Sequence, residues 1–133
     1  MINATELRIG NSIMFKAGHA IKKVPLQLYH FEIIAAEGTK DFFPIVLKPE
    51  IFTGCGFVEN KDYPLAPGAR EFILALPVIG ANRNEIYGYA KTNGECFARA
   101  TVNGLVTSNN VFNLHSLQNL HFALTGNELA IKI

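Results

Sequence analysis

The side chains able to do chemistry are few and scattered. Three serines, Ser12, Ser108 and Ser116, occur in the chain, and none sits in the G-x-S-x-G setting that exposes an activated hydroxyl at a strand-to-helix turn. Cys55, between Gly54 and Gly56, is the one suggestive thiol. A helix N-terminus would stabilise its thiolate, but Cys55 falls at the expected C-terminal end of a short helix, where the dipole has the wrong sign. A buried structural cysteine is the expectation. Two histidines chelate a metal from one helix when spaced i, i+4; His115 and His121 are six apart, so a regular helix points them about 120° from each other. His19 and His30 stand alone, and His121, on a leucine-rich stripe, reads as a hydrogen-bonded histidine at the core margin. Asp41 and Asp62 are the only aspartates and the nine glutamates are dispersed, so no carboxylate pair recommends itself for acid/base work. Neither G-x-G-x-x-G nor G-x-x-x-x-G-K-[ST] occurs, which removes the usual phosphate cradles. The sequence therefore predicts no catalytic residue, no metal site and no cofactor.

One basic stretch remains. Lys16, His19, Lys22 and Lys23 could touch phosphate, with Tyr29 or Phe31 available for stacking; a solvated hairpin end accounts for the same residues. Residues 1–50 hold six Lys+Arg against five Asp+Glu, a balance that favours the solvated end.

The elements that must position these groups belong to a chain of 133 residues, 49% hydrophobic, 17% charged, with formal net charge +1. That describes one domain over residues 1–133, able to build a core without disulfides or a structural metal. Near-neutral charge lacks the electrostatic footprint of a dedicated nucleic-acid binder. Apolar runs such as Phe72 to Ile79 fall far below the ~20 residues that span a bilayer, and the first residues carry no basic, apolar leader pattern. A cytoplasmic chain without membrane contact is expected. Cys55 and Cys96 are then reduced, and the acceptor pattern Asn3-Ala4-Thr5 has no meaning.

Short apolar segments separated by turn residues, at Leu7–Ile9, Ile13–Phe15, Ile21–Val24 and Leu26–Ile34, predict meandering β-structure, with room for a small, partly open barrel. In the last of these, Tyr29, Phe31 and Ile33 alternate with Leu28, His30 and Glu32, as in a half-buried strand. Pro49 suits the first turn of a short helix near 49–54, ended by Gly54 and Gly56. Residues 58–70, with Pro64, Pro67 and Gly68, read as a surface connection. Arg70 to Val78, apolar on both faces, predicts a central covered strand. Asn-Gly pairs at 93–94 and 103–104 predict type I′ hairpin turns. The first would set Tyr87, Tyr89, Cys96, Ala98 and Ala100 on the core face, opposite Gly88, Ala90, Phe97 and Arg99.

The last third carries the clearest element. Asn113 as N-cap, Leu114 to Thr125 as helix and Gly126 as its stop precede a short strand at Leu129–Ile133. Leu114, Leu117, Leu120, His121 and Leu124 fall in an arc of about 120°, the stripe that covers a sheet. Phe122 lies outside it near His115 and Gln118, so either a loop or another chain covers that side.

Three blocks carry a resemblance. Glu6-Leu7-Arg8-Ile9-Gly10-Asn11 is similar to an opening ELRIGN. Pro44 to Ile51 with Cys55-Gly56-Phe57 is similar to PIPLTPEIL followed by CGF. Leu114 to Leu129 is similar to a terminal LQNLYFALTGEEL, with His121 where that pattern has Tyr, while Lys48 and Thr53-Gly54 depart from the middle block. Together they resemble small uncharacterised proteins of Bacteroidetes genomes and their phages or prophages. The resemblance implies a mobile-element association and no particular activity. The Gln118-Asn119 pair within it is either a site or a pair satisfying neighbouring backbone and solvent.

The expected fold is α+β: a mainly antiparallel sheet with the C-terminal amphipathic helix packed on it and the short helix near 49–54. The expected function is a non-enzymatic accessory or protein-interaction domain with a protein partner or self-association, its candidate surface formed by Lys16, Lys22, Lys23, His115, Gln118 and Phe122. The alternative is a weak nucleic-acid-binding module using residues 16–23. An enzyme would need a pocket with converging polar groups.

Overall fold

A computed structural model describes residues 2–62 and 67–132. The fold is α+β, with two antiparallel sheets and three helices; neither sheet closes into a barrel.

The smaller sheet holds β1 (Ser12–Ala17), β2 (Ala20–Pro25) and β3 (Phe42–Phe43) in the order β2-β1-β3. β1 and β2 join through a two-residue turn, Ala17 opposite Ala20, with Gly18 at φ 64°, a conformation glycine adopts without steric cost. Leu7–Ile9 forms no strand; it follows a 3-10 turn at Ala4–Glu6 and leads into a turn at Ile9–Gly10.

The expected strand at Leu26–Ile34 is instead the helix α1, Leu28–Glu37. Six alternating residues fit a strand and a helix almost equally, and length decides between them. The run from Leu28 continues without a turn residue through Ala35-Ala36-Glu37 to Gly38, at φ 80°. His30 fixes the first turn by accepting the Gln27 backbone N–H on Nδ1 at 2.9 Å. His30 is buried, with Phe31, Ile33 and Ile34 packed on a core of Ile2, Ile13, Leu26 and Phe42.

The larger sheet runs in sequential order through β4 (Val58–Glu59), β5 (Arg70–Ala75), β6 (Asn84–Ala90), β7 (Cys96–Val102) and β8 (Leu105–Val106). Within the surface connection expected at 58–70, residues 63–66 lie outside the described residues, and β4 opens it. β5 stops at Ala75, three residues short of expectation, because Pro77 cannot continue the ladder. Only one of its faces meets the main core: Phe72 is buried while Ala75 is exposed.

The two Asn-Gly turns differ. At 103–104 both residues have positive φ, 51° and 82°, and Val102 pairs with Leu105, as a two-residue hairpin of type I′ requires. At 93–94 only Gly94 is positive, Gly94 N donates to Lys91 O, Lys91 N donates to Glu95 O, and Ala90 pairs with Cys96. That longer loop moves the register by one residue, which exchanges the expected faces of β6 and leaves those of β7 as expected. Ile86, Gly88, Ala90, Cys96, Ala98 and Ala100 face the core, while Tyr87, Tyr89, Phe97 and Arg99 take the opposite face, half-buried.

Two helices contribute to that core. α2, Pro49–Gly54 with Pro49 in its first turn, buries Ile51 and Phe52. α3, Leu114–Thr125, buries Leu114 and Leu117 in the same cluster as Phe72, Ile86 and Ala98, with Leu120 and Leu124 at its border. Gly126 ends α3 in the left-handed conformation, φ 73°. The Asn113 side chain makes no cap bond; the Leu114 N–H donates to Ile45 O at 2.8 Å instead. Residues 129–132 form no strand. Leu129 and Ile131 join the core, and Lys132 N donates to Gly54 O at 2.7 Å.

Candidate interaction surface

The residues expected to form a surface divide into three settings. Lys16, Lys22 and Lys23 lie exposed on the β1–β2 hairpin. Strand alternation and the pairings Phe15–Lys22 and Met14–Lys23 put Lys22 on the Phe15 face, while Lys16 and Lys23 share the Met14 face.

His115 and Gln118 are not surface residues: they are 0% and 3% exposed. They belong to a polar seam between α3 and the N-terminal segment. Gln118 Oε1 accepts the Ser12 N–H at 2.7 Å and Gln118 Nε2 donates to Gly10 O at 3.4 Å. His115 Nε2 is 3.4 Å from Glu6 Oε2. Asn119 Oδ1 accepts from Asn11 Nδ2 at 2.9 Å and from Arg8 Nε at 3.2 Å, and its Nδ2 donates to Glu6 O at 2.6 Å. Arg8 also pairs with Glu128. The Gln118-Asn119 pair thus satisfies backbone and side chains of the segment Glu6–Ser12, and the first and third blocks of the sequence resemblance meet here. Phe122 is 39% exposed, and the Arg8 guanidinium stands 4.4 Å from its ring centroid, a cation–π contact that covers part of the ring.

Cys55 and Cys96 are free and buried, and burial pushes the Cys55 thiol up to about 11. His121 Nδ1 lies 2.9 Å from Asn127 O, at the helix end. Among the described residues no group of three or more His, Cys, Asp or Glu could hold a metal ion, and no helix is long and apolar enough to cross a membrane.

A groove of about 450 Å³ opens between β1 and α1. Its α1 wall is Tyr29, Glu32, Ile33, Ala36 and Glu37, positions i, i+3, i+4, i+7 and i+8 that share one face of a helix. Phe15 and Asp41 form the other side, and Lys16 N donates to Asp41 O at 2.9 Å, holding that segment against β1. The Phe15 ring stacks on Phe42 at 4.8 Å and meets His30 edge-on at 5.2 Å; the Tyr29 and His30 centroids are 4.0 Å apart. His30 therefore backs both aromatic walls, and burial lowers its pKa from 6.5, favouring a neutral ring. Its Nε2 has no hydrogen-bond partner among the described residues. Glu32, Glu37 and Asp41 form no ion pair among the described residues. The reading of residues 26–34 as a strand hid this face; the 29, 32, 33, 36, 37 spacing was the signal for it.

No family model, no curated protein and no solved structure matches the chain.

Proposed function

We propose that this chain is a non-enzymatic protein-interaction domain whose partner docks on α1 and the groove beside it. The observation that carries this reading is the composition of α1 set against its burial. Eight of its ten residues are uncharged, Leu, Tyr, His, Phe, Ile and Ala, yet His30 alone is buried, while Leu28 is 66% and Tyr29 51% exposed. A helix apolar around most of its circumference belongs inside a protein, and contiguous exposed apolar surface is characteristic of contact sites. A cytoplasmic setting, with both cysteines reduced, fits this role, and an accessory part in a phage or other mobile element is the context suggested by the sequence resemblance.

The nucleic-acid alternative has weaker support. Lys22 faces away from Lys16 and Lys23, and the groove holding Tyr29, one of the two stacking candidates, carries three carboxylates that repel phosphate.

A photoreactive phenylalanine analogue at position 29, introduced in the producing cells, tests the proposal. The expected result is one discrete adduct whose partner, once purified, binds the chain, with Leu28→Asp weakening binding at least about tenfold. Leu105→Asp, on the distant edge strand β8, leaves binding unchanged. No discrete adduct, or a complex indifferent to Leu28→Asp, overturns it.

A further inference from the structure

We infer that the groove between β1 and α1 receives one basic side chain of a partner protein, its aliphatic stem against Phe15, Tyr29 and Ile33 and its charge among Glu32, Glu37 and Asp41. This rests on the proposed interaction role and adds the chemistry of the contact.

Two features of the groove converge on a cation with an apolar stem. Its walls combine two aromatic rings with Ile33 and Ala36, and lysine and arginine lay their methylenes on apolar surface while keeping the charge at its margin. Ring faces attract a cation electrostatically. Every charged group lining the groove is a carboxylate, and none of the three forms an ion pair among the described residues. An apolar side chain would fill the walls and leave those carboxylates crowded and partly desolvated; a basic one satisfies both. Lys22 stands across the strand pair from Phe15, Lys16 follows Phe15 and Lys40 precedes Asp41, yet none of them lines the groove.

The behind-the-wall position of His30 explains why the rings are held in place. Phe15 is fixed by Phe42 and His30, and Tyr29 by His30, so the aromatic walls are formed before a ligand arrives and little ordering is required on binding.

The test is an NMR amide titration of the full chain with three capped probes: acetyl-Leu-Lys-Leu-amide, the same peptide with norleucine for lysine, and the same with glutamate. The expected outcome is shifts at Phe15, Tyr29, Ala36 and Asp41 with the lysine probe, about tenfold weaker binding of the norleucine probe and no groove shifts with the glutamate probe. Glu32→Gln with Glu37→Gln, both exposed positions, removes the preference for lysine without unfolding the chain, and added salt weakens it. Equal affinity for lysine and norleucine probes overturns the basic-side-chain inference while an adduct at position 29 keeps the interaction role intact. Groove shifts with none of the probes also overturn it, and absence of that adduct removes the role itself.

Discussion

The ring of Phe52 occupies the space that a side chain on Gly88 would need: a Cβ there would stand 2.5 Å from Phe52 Cε1. Gly88 pairs with Phe72 on one side and Ala98 on the other, and Phe72 stacks on Phe52 at 5.2 Å. The short helix α2 thus seats its one fully buried aromatic on a bare stretch of sheet.

Gly88→Ala is therefore expected to destabilise the fold by about 1–3 kcal/mol through overpacking, since the ring is enclosed and has no free direction to move. Urea denaturation should show a lower midpoint with an unchanged slope. Phe52→Leu combined with Gly88→Ala should recover part of the loss, because the smaller side chain vacates the contested volume. No rescue would place the defect elsewhere.

Asn119→Leu removes three hydrogen bonds from the seam between α3 and the N-terminal segment. It leaves Asn11 Nδ2 and Glu6 O without this partner, at a cost of about 1–3 kcal/mol. Amide hydrogen exchange should locate the loss at residues 6–12 and at α3 before the larger sheet is affected. A uniform loss across the molecule would show that the seam does not act as a local clasp.

His30 gives the fold a definite pH dependence. Burial lowers its pKa below the ordinary 6.5, so the unfolded chain takes up a proton at a higher pH than the folded one. The stability present above 6.5 is lost as pH falls through 6.5 toward the folded value. Denaturation midpoints measured between pH 7.5 and 5 should decline, and His30→Asn should flatten that decline even though it lowers stability at pH 7.5. An unchanged slope in the variant would assign the effect to another group.

Cys55 is expected to resist thiol reagents in the folded protein. The residue is 4% exposed and burial pushes its thiol pKa up to about 11, which leaves almost no thiolate at neutral pH. Ellman's reagent should react with it at neutral pH only after denaturation. Rapid labelling of the native chain would contradict the buried setting.

Some of this was legible in the amino-acid order and some was not. The terminal helix could be read because its signals are local: Leu114 and Leu117 recur on one face and Gly126 supplies the left-handed stop. Pro49 and Gly54 likewise bound α2 where expected, and Asn103-Gly104 forms the expected tight turn because both residues tolerate positive φ. The α+β class and its antiparallel pairing follow from such local preferences.

What depends on longer-range pairing could only be decided by the folded molecule. Asn93-Gly94 resembles Asn103-Gly104, yet the strands it joins meet one residue out of the expected register, which turns Tyr89 outward and Ala90 inward while Ala98 keeps its expected core face. Residues 26–34 carry a pattern that suits either element, and a buried side of α1, closed by Phe15 and Phe42 around His30, selects the helix. Gln118 is polar and sits in the middle of a helix, so its type alone suggests solvent; it is buried because Ser12 and Gly10, more than a hundred residues earlier in the chain, offer it a donor and an acceptor. Local propensity determined the remaining elements, and partners distant in the chain determined the helix at Leu28–Glu37 and which faces meet.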